Sequence, residues 1–166
     1  HPIIRRWRRP TTTALPANHI DLAHSYNNIG GAYHYMAEYS QALTFYESAL
    51  EIYQTSLLPN HPALATAYDN MSTVCDHLGD PTKALSFGDK ALQIRQKALP
   101  PHHPELAASH NNLAWVYYNM QQYPKALSHF QLALDILEHA LPADHSYLAN
   151  VKDSLAKCNE QTSTST

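Results

Sequence analysis

A period of 42 residues constrains this chain more than any other feature. His19, His61, His103 and His145 stand at that interval, each followed three residues later by Leu22, Leu64, Leu106 or Leu148 and then by Ala23, Ala65, Ala107 or Ala149. The same interval aligns Asn28, Asn70 and Asn112; Ala42, Ala84 and Ala126; Ala49, Ala91 and Ala133; and Leu50, Leu92 and Leu134, without insertion or deletion. A fixed period of this length marks a tandem array in which each unit buries its apolar face on the next.

Within a unit the apolar positions recur at helical spacing, as in Leu22, Tyr26, Ile29, Tyr33 and Met36, then Ala42, Leu43, Tyr46, Ala49, Leu50 and Tyr53. Each unit therefore reads as a helix pair. Leu58-Pro59, Leu99-Pro100 and Leu141-Pro142 end second helices, Pro62 and Pro104 open first helices, and Gly79-Asp80-Pro81 places a capping Asp before a Pro at the first helical position. The spacing predicts first helices at 20–36, 62–78 and 104–120, second helices at 39–56, 81–98 and 123–140, and a last helix at 146–160. The recurrent Ala columns let neighbouring backbones approach while Leu, Ile and Tyr fill the remaining volume. The expected fold is all-α: a solenoid over 15–160 with repeats at 15–57, 58–99 and 100–141 and a capping helix at 146–160, flanked by a mobile basic arm at 1–14 and a disordered tail at 161–166. The middle repeat is expected to be the loosest, because Gly88 replaces Tyr46 and Phe130 and Cys75 replaces Tyr33 and Tyr117; Phe87 is expected to refill the space.

Composition narrows the function classes. The formal net charge is -3, but Arg5, Arg6, Arg8 and Arg9 lie in the first fourteen residues, and the remainder carries seven Lys/Arg against fourteen Asp/Glu. An acidic body lacks the basic stripe that a phosphate-backbone binder needs, so no nucleic-acid partner is expected. No apolar run approaches the roughly 20 residues of a membrane span, so no membrane insertion is expected. The chain opens on His instead of Met, as expected of a processed or excised piece.

The array Tyr26, Ile29, Gly30, Tyr33, Ala42, Tyr46 and Ala49, echoed in His110, Leu113, Ala114, Tyr117, Ala126, Phe130 and Ala133, resembles the tetratricopeptide repeat. Ordinary members of that family repeat every 34 residues. The phrasing "LPNHPALATAYDNM" and "LPPHHPELAASHNNLAWVYYNMQQYPKALSHFQLALDI" is similar to the longer repeats of kinesin light chains. The resemblance, over about residues 15 to 158, implies a right-handed superhelix of helix hairpins whose groove, lined by the first helix of each pair, binds partner peptides.

Candidate binding residues follow from that registration. Asn28, Asn70 and Asn112 precede the apolar Ile29, Met71 and Leu113 and so lie beside the buried stripe, on the side the family turns to its groove. A carboxamide both donates and accepts, so it suits the N–H and C=O of an extended peptide; the resemblance implies that role, and bridging between neighbouring helices is the structural alternative. Neighbouring columns bring Asn27, Asp69 and Asn111, and with them Tyr35, Thr73, His77, Trp115, Tyr118 and Asn119. These groove columns hold no Lys or Arg, which argues against a dicarboxylate clamp. The expected ligand has an apolar or aromatic anchor near Trp115 and Tyr118 and a basic residue answering Asp69 and Asp76.

Chemistry of other kinds is not expected. The four period-locked His residues lie a whole unit apart and read as helix-start residues, so no metal site follows from them; HExxH and CxxC are absent. His24, His34 and His77 would give the groove face a pH response. Cys75 and Cys158 are two units apart and read as free thiols, which suits a reducing, cytoplasmic setting. No nucleophile motif, phosphate loop or cofactor motif is present. The expected function is a non-catalytic, monomeric adaptor or scaffold that binds a protein or peptide ligand in its groove; the alternatives are a regulatory or targeting domain of a larger enzyme and a self-stacking structural solenoid. The Arg5–Arg9 run reads as a solvated linker.

Overall fold

The computed structural model describes residues 19–164, and the arm at 1–14 lies outside the described residues. Among these residues there are seven helices: α1 (Ile20–Tyr35), α2 (Tyr39–Ser56), α3 (Pro62–His77), α4 (Pro81–Ala98), α5 (Pro104–Asn119), α6 (Tyr123–Ala140) and α7 (Ser146–Thr164). First helices end one residue before their predicted ends, and second helices match. The last helix runs further than expected. Residues 161–164, assigned from sequence to a disordered tail, continue α7, and within it the Thr162 and Ser163 hydroxyls donate back to the Asn159 carbonyl at 2.7 and 3.0 Å.

The period-locked histidines start the helices. The Nδ1 of His19, His61, His103 and His145 accepts the backbone N–H two residues on at 3.2, 3.1, 3.2 and 3.1 Å, so each imidazole takes up an otherwise unpaired N–H of a first turn. Asp80 caps α4 in the expected way, its carboxylate accepting from the Lys83 N–H at 3.1 Å. The turn between the two helices of each unit needs a left-handed residue at one column: Ala37 (φ 59°), Gly79 (φ 76°) and Gln121 (φ 59°). Just beyond it the N–H groups of Glu38, Asp80 and Gln122 return to the carbonyls of Tyr33, Cys75 and Tyr117, each at 2.9 Å. Only the middle unit carries the glycine that this geometry favours.

Each helix packs on its neighbours in sequence, and the first helices also touch, α1 on α3 and α3 on α5. The result is an all-α helical repeat solenoid. Its core is the small-residue lattice: Ala23, Ala65, Ala107, Ala42, Ala84, Ala126, Ala49, Ala91 and Ala133 are all 0% exposed. At α7 the buried side is Leu148, Val151 and Cys158, while Lys152, Asp153, Lys157 and Glu160 face water.

Gly88 corrects one expectation. Tyr46 in the first unit lies over Gly30, where an added Cβ would come within 2.8 Å of its ring. In the middle unit the residue opposite is Ser72, whose buried hydroxyl donates to the Ala84 carbonyl at 2.7 Å. A Cβ at Gly88 would lie 2.6 Å from Leu113 Cδ2 and 3.2 Å from Ser72 Oγ. Leu113 of the next unit and Ser72 therefore occupy the space assigned from sequence to Phe87, which is only half-buried and stacks on Tyr68 with ring centroids 6.0 Å apart.

Candidate functional site

Residues on the first helices meet their counterparts one unit on, displaced by one position. Asn70 Nδ2 donates to Asn27 Oδ1 at 3.1 Å, and Asn119 Nδ2 donates to Asp76 Oδ2 at 2.6 Å. The rings of His34 and His77 come within 5.6 Å in the same way. Asn112 faces Asp69 and helps hold its carboxyl down. Asn70 thus bridges neighbouring helices with one N–H and keeps a second N–H and its carbonyl oxygen. Asn28 in the first unit is exposed, and Asn111 and Asn112 are half-buried.

Asp69 is not a free groove residue. It is 8% exposed, and its Oδ2 accepts from Arg95 Nη1, a residue of α4 that is itself 7% exposed. Arg95 also donates to Ser109 Oγ at 2.6 Å and to Glu105 Oε2 at 3.2 Å. The expectation that a ligand's basic group answers Asp69 is therefore overturned: a second-helix arginine reaches between α3 and α5 and answers it within the chain. Burial pushes the Asp69 carboxyl above its ordinary range, and the Arg95 guanidinium works against that shift. A signal existed in the sequence. Arg95 stands in the column of Tyr53 and Leu137, both buried, so an arginine there needed a buried partner.

What remains is a pocket of about 300 Å³ between α3 and α5, lined by Ser72, Thr73, Asp76, His77, Asn112, Trp115, Val116 and Asn119. It gathers Thr73, His77, Asn112, Trp115 and Asn119 of the residues singled out from sequence. Trp115 is held edge-on against Phe130 and Tyr118, with centroids 5.4 and 5.3 Å away, so its position is set by packing. Thr73 donates to the Asp69 carbonyl at 3.1 Å. His77 stacks on Tyr39 at 4.5 Å with the planes 9° apart, while burial and the neighbouring His77 lower the pKa of His34. Tyr118 turns from the pocket towards Tyr123 of α6, and Tyr35 is 97% exposed at the end of α1.

The pocket has shape, an aromatic wall and mixed hydrogen-bonding groups, which suits binding. Cys75 and Cys158 are both buried, with thiol pKa values raised by burial, the opposite of an activated nucleophile. No group of three or more His, Cys, Asp or Glu side chains among the described residues is placed to hold a metal ion. No helix among them is long and apolar enough to cross a membrane.

The family model described as "Tetratricopeptide repeat" matches residues 21–97 and 77–139. No curated protein matches the chain. Among solved structures, BtubC (BKLC) from P. vanneervenii superposes with a TM-score of 0.81 at 22% identity, over 87% of this chain and 58% of that one. A Podosopora anserina protein assigned as a kinesin light chain, with nearly identical TPR-like repeats, gives 0.79 at 19% identity over 87% of this chain and 69% of that one. The Sgt2 TPR domain from Aspergillus fumigatus gives 0.64 at 18% identity over 86% and 80%. At these identities the likeness is one of fold.

Proposed function

Since the chain belongs to the tetratricopeptide repeat family, whose members are generally non-catalytic protein-interaction modules, we propose that it captures an extended peptide segment of a partner protein along the face formed by α1, α3 and α5. The observation that carries this reading is the α3–α5 pocket, where Trp115 stands beside Asn112, Asn119, Thr73 and His77. Trp115 supplies an apolar anchor site. The spare carboxamide groups of Asn28, Asn70 and Asn112 pair with ligand backbone, and fixed helices limit the entropy lost on binding. Asp76 and His77 select among side chains, favouring a ligand with a basic group beside its anchor.

The 42-residue period and the two passages quoted above support a long-repeat, kinesin light chain-like type. Residues 15–160 act as one binding unit, monomeric and cytoplasmic, the two buried free thiols fitting a reducing setting. Adaptor or scaffold work is the biological role that follows.

Display selection of random peptides against the chain, run beside Asn70→Ala/Asn112→Ala and Trp115→Ala variants of unchanged helicity, tests this. Peptides with an aromatic or aliphatic anchor should bind the parent and lose about tenfold or more in affinity on the variants, in line with the loss of a central anchor. Failure to enrich any peptide family that depends on these three side chains would remove the face formed by α1, α3 and α5 as the binding site, whatever other peptides bind elsewhere on the chain.

A further inference from the structure

The molecule has a second furrow, lined by residues none of which belongs to the first-helix pocket. It lies between α2 and α4 with the start of α3 as its floor, and encloses about 430 Å³. Leu57, Leu64, Tyr68 and Ile94 form its apolar surface, and Lys90 and Lys97 of α4 stand at its rim. Gln54, Asn60 and Gln93 supply amides, and none of the residues lining it carries a carboxylate. The setting makes this unusual, because residues 15–166 hold fourteen Asp/Glu against seven Lys/Arg. Several of those cations are committed elsewhere: Arg95 to Asp69 and Glu105, Lys83 to Asp80 at 3.1 Å and Lys152 to Glu138 at 3.1 Å.

Local packing fixes the rim. Gln54 Nε2 donates to the Tyr68 hydroxyl at 3.0 Å and joins α2 to α3 across the floor. Lys90 Nζ stands 5.4 Å from the centre of the Tyr68 ring and 5.7 Å from that of Phe87, which themselves stack. A cation over two aromatic faces is oriented yet keeps its N–H groups for an acceptor.

The repeat supplies an internal control. One unit on, the matching furrow is lined by Gln96, Leu99, Pro101, Leu106, His110 and Ile136 and encloses about 300 Å³. There the positions of Lys90 and Lys97 hold Leu132 and His139. The apolar shape is common to both units, whereas of these two furrows the positive rim belongs to the one between α2 and α4.

We propose that the α2–α4 furrow is a second docking site, separate from the first-helix pocket, for an acidic peptide segment of a partner protein that carries an aliphatic anchor residue. The anchor enters between Leu57, Leu64 and Ile94, and flanking Asp or Glu side chains meet Lys90 and Lys97. A nucleic-acid backbone fits less well, since the acidic body repels an extended polyanion more than two lysines can offset, and the apolar floor would go unused. A peptide satisfies both the floor and the rim.

A random dodecapeptide display library panned against the chain, in parallel with Lys90→Glu/Lys97→Glu and Asn70→Ala/Asn112→Ala, tests the site. The expected result is a family of Asp/Glu-rich peptides with one aliphatic position, retained by the asparagine variant and lost from the lysine variant. A fluorescein-labelled synthetic member should bind Lys90→Gln/Lys97→Gln, which removes the charge but keeps a polar side chain, at least about fivefold more weakly, the gap narrowing as salt rises. Circular dichroism of both lysine variants guards against unfolding. No family with this dependence, a basic consensus, or binding to both lysine variants as tight as to the parent would overturn the proposal. Loss on the asparagine variant alone would assign the peptides to the first-helix pocket and overturn it too.

Discussion

The middle and third repeats share period and helix length yet fill five matching positions, at three sites, with different chemistry. Where the middle unit has the buried pair Asp69 and Arg95, the third has Asn111 and Leu137; where the middle has Gly88, the third has the buried Phe130. Where the middle stacks Tyr68 on Phe87, the third sets His110 against His129, their Nδ1 atoms 3.1 Å apart. The first unit sides with the middle at that last site, as Tyr26 and Phe45. The backbone period is thus held by the Ala columns and the capping histidines, while the large positions vary in compensated sets. A glycine is tolerated because Leu113 enters, and an arginine because Asp69, Glu105 and Ser109 receive it.

Exchanging these sets between units breaks the comparison most sharply at the ion pair. Arg95→Ala should destabilise the chain by about 3–5 kcal/mol in urea unfolding, since it strands a buried carboxylate. Asp69→Asn/Arg95→Leu, which installs the third unit's residues, should recover most of that loss; if the double variant is as weak as the single one, the pair is not a compensated set. Gly88→Ala should follow at about 1–3 kcal/mol, because its Cβ meets Leu113. Combined with Leu113→Ala it should destabilise by clearly less than the two separate losses added together, and strict additivity would deny the contact.

Acid sensitivity is greatest in the third unit, although His34 of the first unit is lowered too. Burial and the neighbouring His129 lower His110 from 6.5 to about 4, and burial lowers His129 too. A depressed histidine favours the neutral form in the fold, so stability is full above pH 6.5 and falls as pH drops from there to about 4. Screening of a partly exposed ring holds the loss to about 1–2 kcal/mol. His110→Tyr/His129→Phe, the first two units' pairing, should flatten that part of a stability-against-pH curve, and an unchanged curve would place the sensitivity elsewhere. The smallest effect is expected at the left-handed turn column: Ala37→Gly should stabilise by up to about 1 kcal/mol and Gly79→Ala should destabilise by a similar amount in thermal unfolding.

Much of the candidate site was legible because periodicity places residues on a face. Thr73, His77, Asn112, Trp115 and Asn119 do line one pocket. Tyr35 lies at the end of α1, 97% exposed and outside that pocket. Asp69 was misassigned because its partner comes from another helix twenty-six positions away, and a column of first-helix residues cannot show what a second helix inserts. The α2–α4 furrow escaped notice for the same reason, being built from three helices at once.

By itself the sequence determined the period, the helix pairs and their bounds, the capping histidines and the family. These depend on spacing along one chain and on hydrogen bonds between residues two to five positions apart. Only the tertiary structure decided that Leu113 fills the space beside Gly88, that Arg95 neutralises Asp69, and that Asn70 bridges to Asn27. Those outcomes depend on which side chains meet between units, where volume and charge balance across helices with no signature at either position alone.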